Sequence, residues 1–182
     1  MIRRTLDALY LAGGILSGAF LVLILLLMMA LSLGRPLGLN VPSGDDFAAW
    51  SLVGMSFLGL AHTFKRGEMI RVGLLLERLK GRTKQIAELF SLVVGSLFIA
   101  YFFAQSLRLA YDSWRFFDMS TGVIIVPLWI PQSAMVLGLA LLLIAFLDEL
   151  WTVLNGRKPT YEKEPPATPE ELLDRVASGG GV

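Results

Sequence analysis

The residue types that perform catalysis or bind metals are scarce in this sequence of 182 residues. There is no Cys, which excludes disulfides, thiolate nucleophiles and cysteine-ligated zinc or iron–sulfur clusters. The one His, His62, cannot supply both axial ligands of a bis-histidine haem or form a histidine-based metal centre. We therefore predict that the chain is not an enzyme, has no catalytic, substrate-binding or metal-binding residues, and needs no cofactor.

Two acidic pairs and His62 could still bind a cation or carry a proton. Asp148 and Glu149 stand where an apolar run ends, so we predict a water-accessible helix end, solvated or salt-bridged, with an ion site as the alternative. Asp45 and Asp46 stand where a helix should begin, and capping and dipole complementarity explain them. His62 is predicted to be a hydrogen-bonded residue near a membrane interface, with a proton relay as the alternative.

The composition indicates a membrane protein, because hydrophobic residues make up 55% of the chain and charged residues only 17%. Soluble domains usually carry about 25% charged residues, so too few charges are present to cover a water-facing surface. The high apolar content also excludes disorder along most of the chain. A formal net charge of +1 gives no electrostatic support for nucleic acid as a partner.

Four uncharged stretches are each long enough to cross about 30 Å of hydrocarbon as a helix. They predict an all-α integral membrane fold with four transmembrane spans, at about 9–33, 47–64, 86–108 and 130–154. The fourth stretch is too long for one straight helix, and Pro127 and Pro131 suit a re-entrant or interfacial lead-in. The first stretch is too long for a cleaved signal peptide, so we expect it to remain as a span.

Lys and Arg residues are divided unequally between the two sides of the predicted membrane. Thirteen lie in the N-terminal segment, the second connection and the tail, whereas the other side carries only Arg35, Arg108 and Arg115. The positive-inside rule therefore places both termini in the cytoplasm.

The segment between the second and third spans predicts an amphipathic helix lying flat in the cytoplasmic interface, at about 68–81. Arg71 and Arg78 lie on its polar face and serve as interface anchors, while Ile70 and Leu74 add a second apolar edge. A partner protein could cover that edge, or the helix could lie deeper among the headgroups.

Aromatic and small residues predict further contacts. Trp50, Trp129 and Trp151 fall near span ends, where amphipathic rings anchor a chain at the headgroup level. Small residues recur at helix-packing spacing and could serve either the internal bundle or the helices of a partner. The predicted partner interface comprises Ile70 and Leu74 together with Gly14, Gly18, Ser91, Gly95, Ala134 and Gly138.

Residues 156–182 are polar and Pro-rich, and we predict a disordered cytoplasmic tail because this composition cannot bury enough apolar surface to fold alone. The spans show no paired halves, discontinuous helices or convergent polar groups, which a transporter acting alone would normally have. The pattern therefore indicates a four-helix companion subunit without a solute site of its own.

Two stretches and the four-span layout carry a resemblance to a known family. The stretches are DDFAAWSLVGMSFLGLAHTFKRGEMIRVGLLLERL and STGVIIVPLWIPQSAMVLG. Over about the first 155 residues the chain resembles the small membrane subunit, the DctQ-type small permease, of tripartite ATP-independent periplasmic (TRAP) transporters. The family commonly reads Gly-x-His-Ile-Arg-Val-Asp where this chain has Met69 for the His and Gly73 for the Asp.

The resemblance implies a non-catalytic role in a three-part importer of organic acids in the bacterial inner membrane. A periplasmic solute-binding protein captures the acid, and a large permease subunit moves it with an ion gradient, usually sodium. The small subunit would pack in the bilayer beside the large one as part of a stationary scaffold. Its flat helix would brace the assembly, and Asp45 and Asp46 would lie near the docked binding protein.

Two other functions stay open at this stage. The chain could be a stand-alone, homo-oligomeric channel or carrier for a small solute, or a structural membrane protein of unknown assembly.

Overall fold

The apolar stretches form long α-helices. The computed structural model describes residues 2–34, 36, 38, 42–66 and 82–155. Within these residues the helices are α1 (Ile2–Gly34), α2 (Gly44–Arg66), α3 (Arg82–Arg115) and α4 (Trp129–Leu154).

All four helices are long and apolar enough to cross a membrane, which confirms the prediction of an all-helical chain with four helices of this kind among the described residues. The predicted interfacial helix at 68–81 and the predicted tail at 156–182 lie outside the described residues.

The helices extend beyond the predicted spans where helical structure continues past the apolar run. α3 continues from the predicted end at 108 to Arg115, because apolar side chains such as Leu109 and Tyr111 follow Arg108. An arginine near a membrane border does not have to end a helix, since its long side chain can reach the headgroups. The predicted lead-in to the fourth span is a short hairpin in which Met119 pairs with Pro127.

The helices form a row in the order α1, α2, α4, α3. α2 packs against both α1 and α4, α3 packs against α4, and α1 touches α4 in a small area. Phe64 stacks on Phe146 and Lys65 pairs with Asp148, so equivalent positions of α2 and α4 advance together and these two helices run parallel. α2 and α4 therefore have their N-terminal ends on one side of the bundle and their C-terminal ends on the opposite side.

The buried core lies towards the C-terminal ends of α2 and α4. The rings of Phe64 and Phe146 are stacked there with centroids 4.1 Å apart. Side chains from all four helices pack around these rings, so the C-terminal ends of α2 and α4 are covered on several sides. The core cluster comprises Tyr10, Ala61, Phe64, Leu92, Ile99, Leu142 and Ala145.

The closest approach between α2 and α4 depends on Gly138. A Cβ atom at this position would lie 2.5 Å from the carbonyl oxygen of Phe57. Because the obstacle is backbone, a larger residue would have to push the two helices apart. Gly138 thus allows the close backbone contact that small residues provide between membrane helices.

Gly138→Ala is expected to destabilise the protein, because the added methyl group overpacks the contact with Phe57 at a cost of about 1–3 kcal/mol. Its thermal unfolding midpoint in mild detergent should fall. Gly18→Ala is the matched control, since a Cβ at Gly18 has no atom within 4 Å, and its midpoint should stay the same or rise. Equal midpoints for the two variants would contradict the close helix contact.

Candidate functional site

Charged side chains of α2 and α4 meet near the C-terminal ends of these two helices. Lys65 Nζ lies 2.5 Å from Asp148 Oδ2 and 3.2 Å from Glu149 Oε1. These residues are far apart in the sequence but lie near the ends of two parallel helices, which brings them to the same level. We call Lys65, Asp148 and Glu149 the lysine–carboxylate cluster.

The lysine–carboxylate cluster is largely removed from solvent. The Glu149 side chain has no exposed surface, while 12% of the Lys65 side chain and 19% of the Asp148 side chain remain exposed. The predicted salt-bridged helix end is present, but the prediction that water reaches both carboxylates is wrong for Glu149. Side chains of neighbouring helices cover this turn of α4. This burial could not be predicted from the position of Glu149 at the end of an apolar run.

Removing charges from water is costly, so a buried salt bridge adds little net stability while both partners are present. Removing one partner is different, because the remaining charge is then buried without compensation. Lys65 is shared by the two carboxylates, so removing it affects two ion pairs at once. The cluster therefore favours the arrangement in which α2 lies beside α4.

Tyr10 of α1 lies against the lysine–carboxylate cluster. Lys65 Nζ is 5.6 Å from the centroid of the Tyr10 ring, within the range of a cation–π interaction. Only 2% of Tyr10 is exposed, and its hydroxyl has no hydrogen-bond partner among the described residues. Tyr10 thus brings a third helix to the cluster.

Lys65 and Tyr10 were not predicted from the sequence as neighbours of the acidic pair. The available signal was that Lys65 ends the second span and the carboxylates end the fourth, which places them on the same side of the membrane. Within the part of the chain that the structure covers, no group of three or more His, Cys, Asp or Glu side chains could hold a metal ion.

Near the N-terminal ends of α2 and α4, the residues that lead into α2 contact the connection between α3 and α4. The backbone N–H of Ile124 donates a hydrogen bond to Ser43 Oγ, at 2.8 Å. Gly122 lies directly against the Asp46 carboxylate, where any side chain would overlap it. Asp45 and Asp46 occupy the first turn of α2, the position from which dipole complementarity was expected. Ser43 and the first turn of α2 therefore contact the connection between α3 and α4.

The predicted small residues lie in two different environments. Gly14 packs against the His62 ring, and Gly95 against the Phe146 ring. Gly18 lies open on the surface of α1. Among the others, Gly138 is buried against Phe57, Ala134 is half-buried and Ser91 is exposed on α3.

The predicted hydrogen bond of His62 is absent from the residues that the structure describes. The imidazole instead fills the space left by Gly14. The packing therefore accounts for His62 by shape and gives no support to a proton relay.

The predicted membrane anchors are only partly described. Trp129 and Trp151 lie exposed near the two ends of α4, and Trp50 is half-buried beside Phe47 in α2. Arg71 and Arg78, together with Ile70 and Leu74 of the predicted partner interface, lie outside the described residues.

Four long apolar helices, with apolar side chains exposed along much of their length, define a multi-pass membrane protein. Residues 24–156 match the family described as tripartite ATP-independent periplasmic transporters, DctQ component. The chain belongs to this family, which is a family of transporter components and not of enzymes, and the resemblance seen in the sequence is confirmed. Membership implies partnership with a large permease and a binding protein. Comparisons with curated proteins and with solved structures gave no match.

Lys65→Met is expected to destabilise the protein by about 3–5 kcal/mol, because it leaves two carboxylates without their shared cation. The measurement is the thermal unfolding midpoint in mild detergent. Adding Asp148→Asn and Glu149→Gln to Lys65→Met should restore part of the loss, because it removes the two negative charges that Lys65 balanced. Arg115→Met is the control, because Arg115 is exposed, and it should leave the midpoint nearly unchanged. A Lys65→Met protein as stable as this control would contradict the role of the cluster.

Proposed function

We propose that this chain is the small membrane subunit of a tripartite secondary transporter that imports organic acids, with sodium as the coupling ion. The match of residues 24–156 to the DctQ component family is the observation that carries the proposal. In this proposal the chain neither binds nor moves the acid. It packs beside the large permease subunit and braces it.

The arrangement of polar groups supports a bracing role. The charged groups of Lys65, Asp148 and Glu149 are engaged with one another, where they hold α2 beside α4. A carrier would instead need polar groups that can exchange their partners for a solute. A row of helices held by such internal pairs suits a part that keeps its shape while a neighbouring subunit moves.

We place the protein in the bacterial inner membrane with both termini in the cytoplasm. The excess of Lys and Arg in the N-terminal segment, the second connection and the tail supports this orientation. The contact between Tyr10 of α1 and Lys65 of α2 agrees with it, because the start of α1 and the ends of α2 and α4 share one side. The start of α2 and the connection between α3 and α4, which contact each other on the other side, would then face the periplasm and lie near the docked binding protein.

Reconstitution tests the proposal. The chain, the large permease and the binding protein encoded beside it would be purified and placed in vesicles with an inward sodium gradient. We expect uptake of a carboxylate only when all three are present, and we expect the chain and the large permease to purify together in mild detergent. Uptake by vesicles containing this chain alone would overturn the proposal and favour a stand-alone carrier.

The proposed bracing helix makes a separate prediction. Replacing Ile70 and Leu74 together by Ser should reduce the amount of large permease that purifies with the chain, because the second apolar edge is lost. Membrane insertion should not change, and quantification of the chain in washed membranes would check this. Leu21→Ser with Leu25→Ser is the matched control on the exposed surface of α1 and should leave association intact. Unaltered association of the Ile70 and Leu74 variant would reject the bracing role.

A further inference from the structure

The hairpin between α3 and α4, residues 116–128, carries large apolar side chains that the rest of the described chain leaves uncovered. Val123 is 80% exposed, Phe117 77% and Ile125 69%. A single exposed apolar side chain is ordinary, but several within one short connection mark a contact surface.

The more exposed face of the hairpin is apolar. Because side chains alternate along a strand, Ile125 and Pro127 lie on one face, and Val126 and Leu128 lie on the other. Met119 pairs with Pro127 and therefore shares its face. Ile125 and Met119 are exposed, whereas Val126 and Leu128 are half-buried. The side of the hairpin that the protein leaves open thus carries apolar groups.

The hairpin is held at the ends of three candidate spans. Its two ends join the last turn of α3 and the first turn of α4. Its tip is tied to the start of α2, which begins at Gly44, because the N–H of Ile124 donates a hydrogen bond to Ser43 Oγ at 2.8 Å. Gly122 also lies directly against the Asp46 carboxylate. The hairpin therefore lies along the level at which the spans end and does not project away from it.

Charged and aromatic side chains of the hairpin and its neighbours suit the headgroup level. Arg115 and Asp118 flank Phe116 and Phe117, and the guanidinium carbon of Arg115 lies 5.9 Å from the centre of the Phe116 ring. Trp129, the first residue of α4, is also exposed. Headgroups accept charges that hydrocarbon excludes, and aromatic rings concentrate at this level.

The backbone at Phe117 gives a separate indication. Its φ of 56° lies in the left-handed region, which is unfavourable for residues with a Cβ atom. Phe117 follows the end of α3, where the N–H of Asp118 donates a hydrogen bond to the Ser113 carbonyl at 3.0 Å, and Gly is the usual residue at this place. Since its ring is also mostly exposed, packing within the described chain does not explain a Phe here. A contact with lipid does.

We propose that the hairpin is a lipid anchor, which lies among the headgroups of the leaflet where α2 and α4 begin. The side chains of Phe117, Val123 and Ile125 reach the boundary with the acyl chains, as the apolar face of an interfacial segment does. A phospholipid bilayer is the occupant because the exposed apolar surfaces of α3 and α4 lead directly into the hairpin. The anchor goes beyond the proposed function and does not depend on it, since it concerns only the bilayer around this chain.

Fluorescence quenching tests the lipid anchor, and the absence of Cys means that each variant carries a single thiol. Val123→Cys and Ile125→Cys would be labelled with the environment-sensitive dye NBD, and the full chain would be placed in phosphatidylcholine vesicles. Leu21→Cys, midway along α1, is the lipid control, and Asp45→Cys, exposed in the first turn of α2, is the water control. One set of vesicles contains lipids with a nitroxide near the headgroup, and another contains iodide on both sides.

We expect both hairpin labels to be quenched by the nitroxide lipid and protected from iodide relative to the Asp45 label. Quenching by iodide as strong as that of the Asp45 label would overturn the lipid anchor. Protection from iodide without quenching by the nitroxide lipid would also overturn it, because a second copy of the chain would then cover the hairpin. Protection that appears only after a periplasmic binding protein is added would assign the surface to that protein instead.

A second measurement separates anchoring from folding. Phe117→Gly with Val123→Ser, in the chain labelled at position 125, removes apolar side chains while Gly suits the left-handed backbone. Iodide quenching of the label should rise towards that of the Asp45 label, and the unfolding midpoint in mild detergent should not fall. Unchanged quenching, or a rise in quenching matched by a fall in the midpoint, would reject the anchor.

Discussion

The salt bridge from Lys65 to Asp148 and Glu149 is the interaction on which the helix arrangement depends. In hydrocarbon, apolar surfaces gain little by leaving lipid for one another, so apolar character alone cannot select which helices become neighbours. A buried charge is selective, because its cost is offset only where an opposite charge lies beside it. This cluster therefore favours the α2–α4 pair over other pairings of equally apolar helices, and Tyr10 adds α1 to the same end.

Close packing also contributes to the arrangement of the helices. Gly138 lets the backbones of α2 and α4 approach, and the His62 ring fills the space beside Gly14 between α1 and α2. With the central pair held by charge and close packing, α1 and α3 are left as outer helices, each with one exposed side. The charged groups of Lys65, Asp148 and Glu149 are engaged with one another, which agrees with the bracing role proposed above.

The fold could be predicted from the sequence to the level of its four spans because hydrocarbon thickness imposes a minimum length on each apolar run. Boundaries were less predictable: α3 continues past Arg108 to Arg115, since a single charge near the membrane border does not break a helix. The lysine–carboxylate cluster could be predicted only in part. The acidic pair was recognised, but Lys65 was not assigned to it and Glu149 was expected to meet water.

What the sequence determined by itself is the class of the protein: four apolar runs, an excess of basic residues on one side, no Cys and one His lead to a membrane subunit without evident catalytic chemistry. Its motifs also led to the DctQ family, which the family match confirms. Only the tertiary structure decided that α2 and α4 form the central pair and that Glu149 is buried against Lys65. The physical reason is that hydropathy and charge bias are properties of each segment, whereas burial and ion pairing are properties of which segments become neighbours.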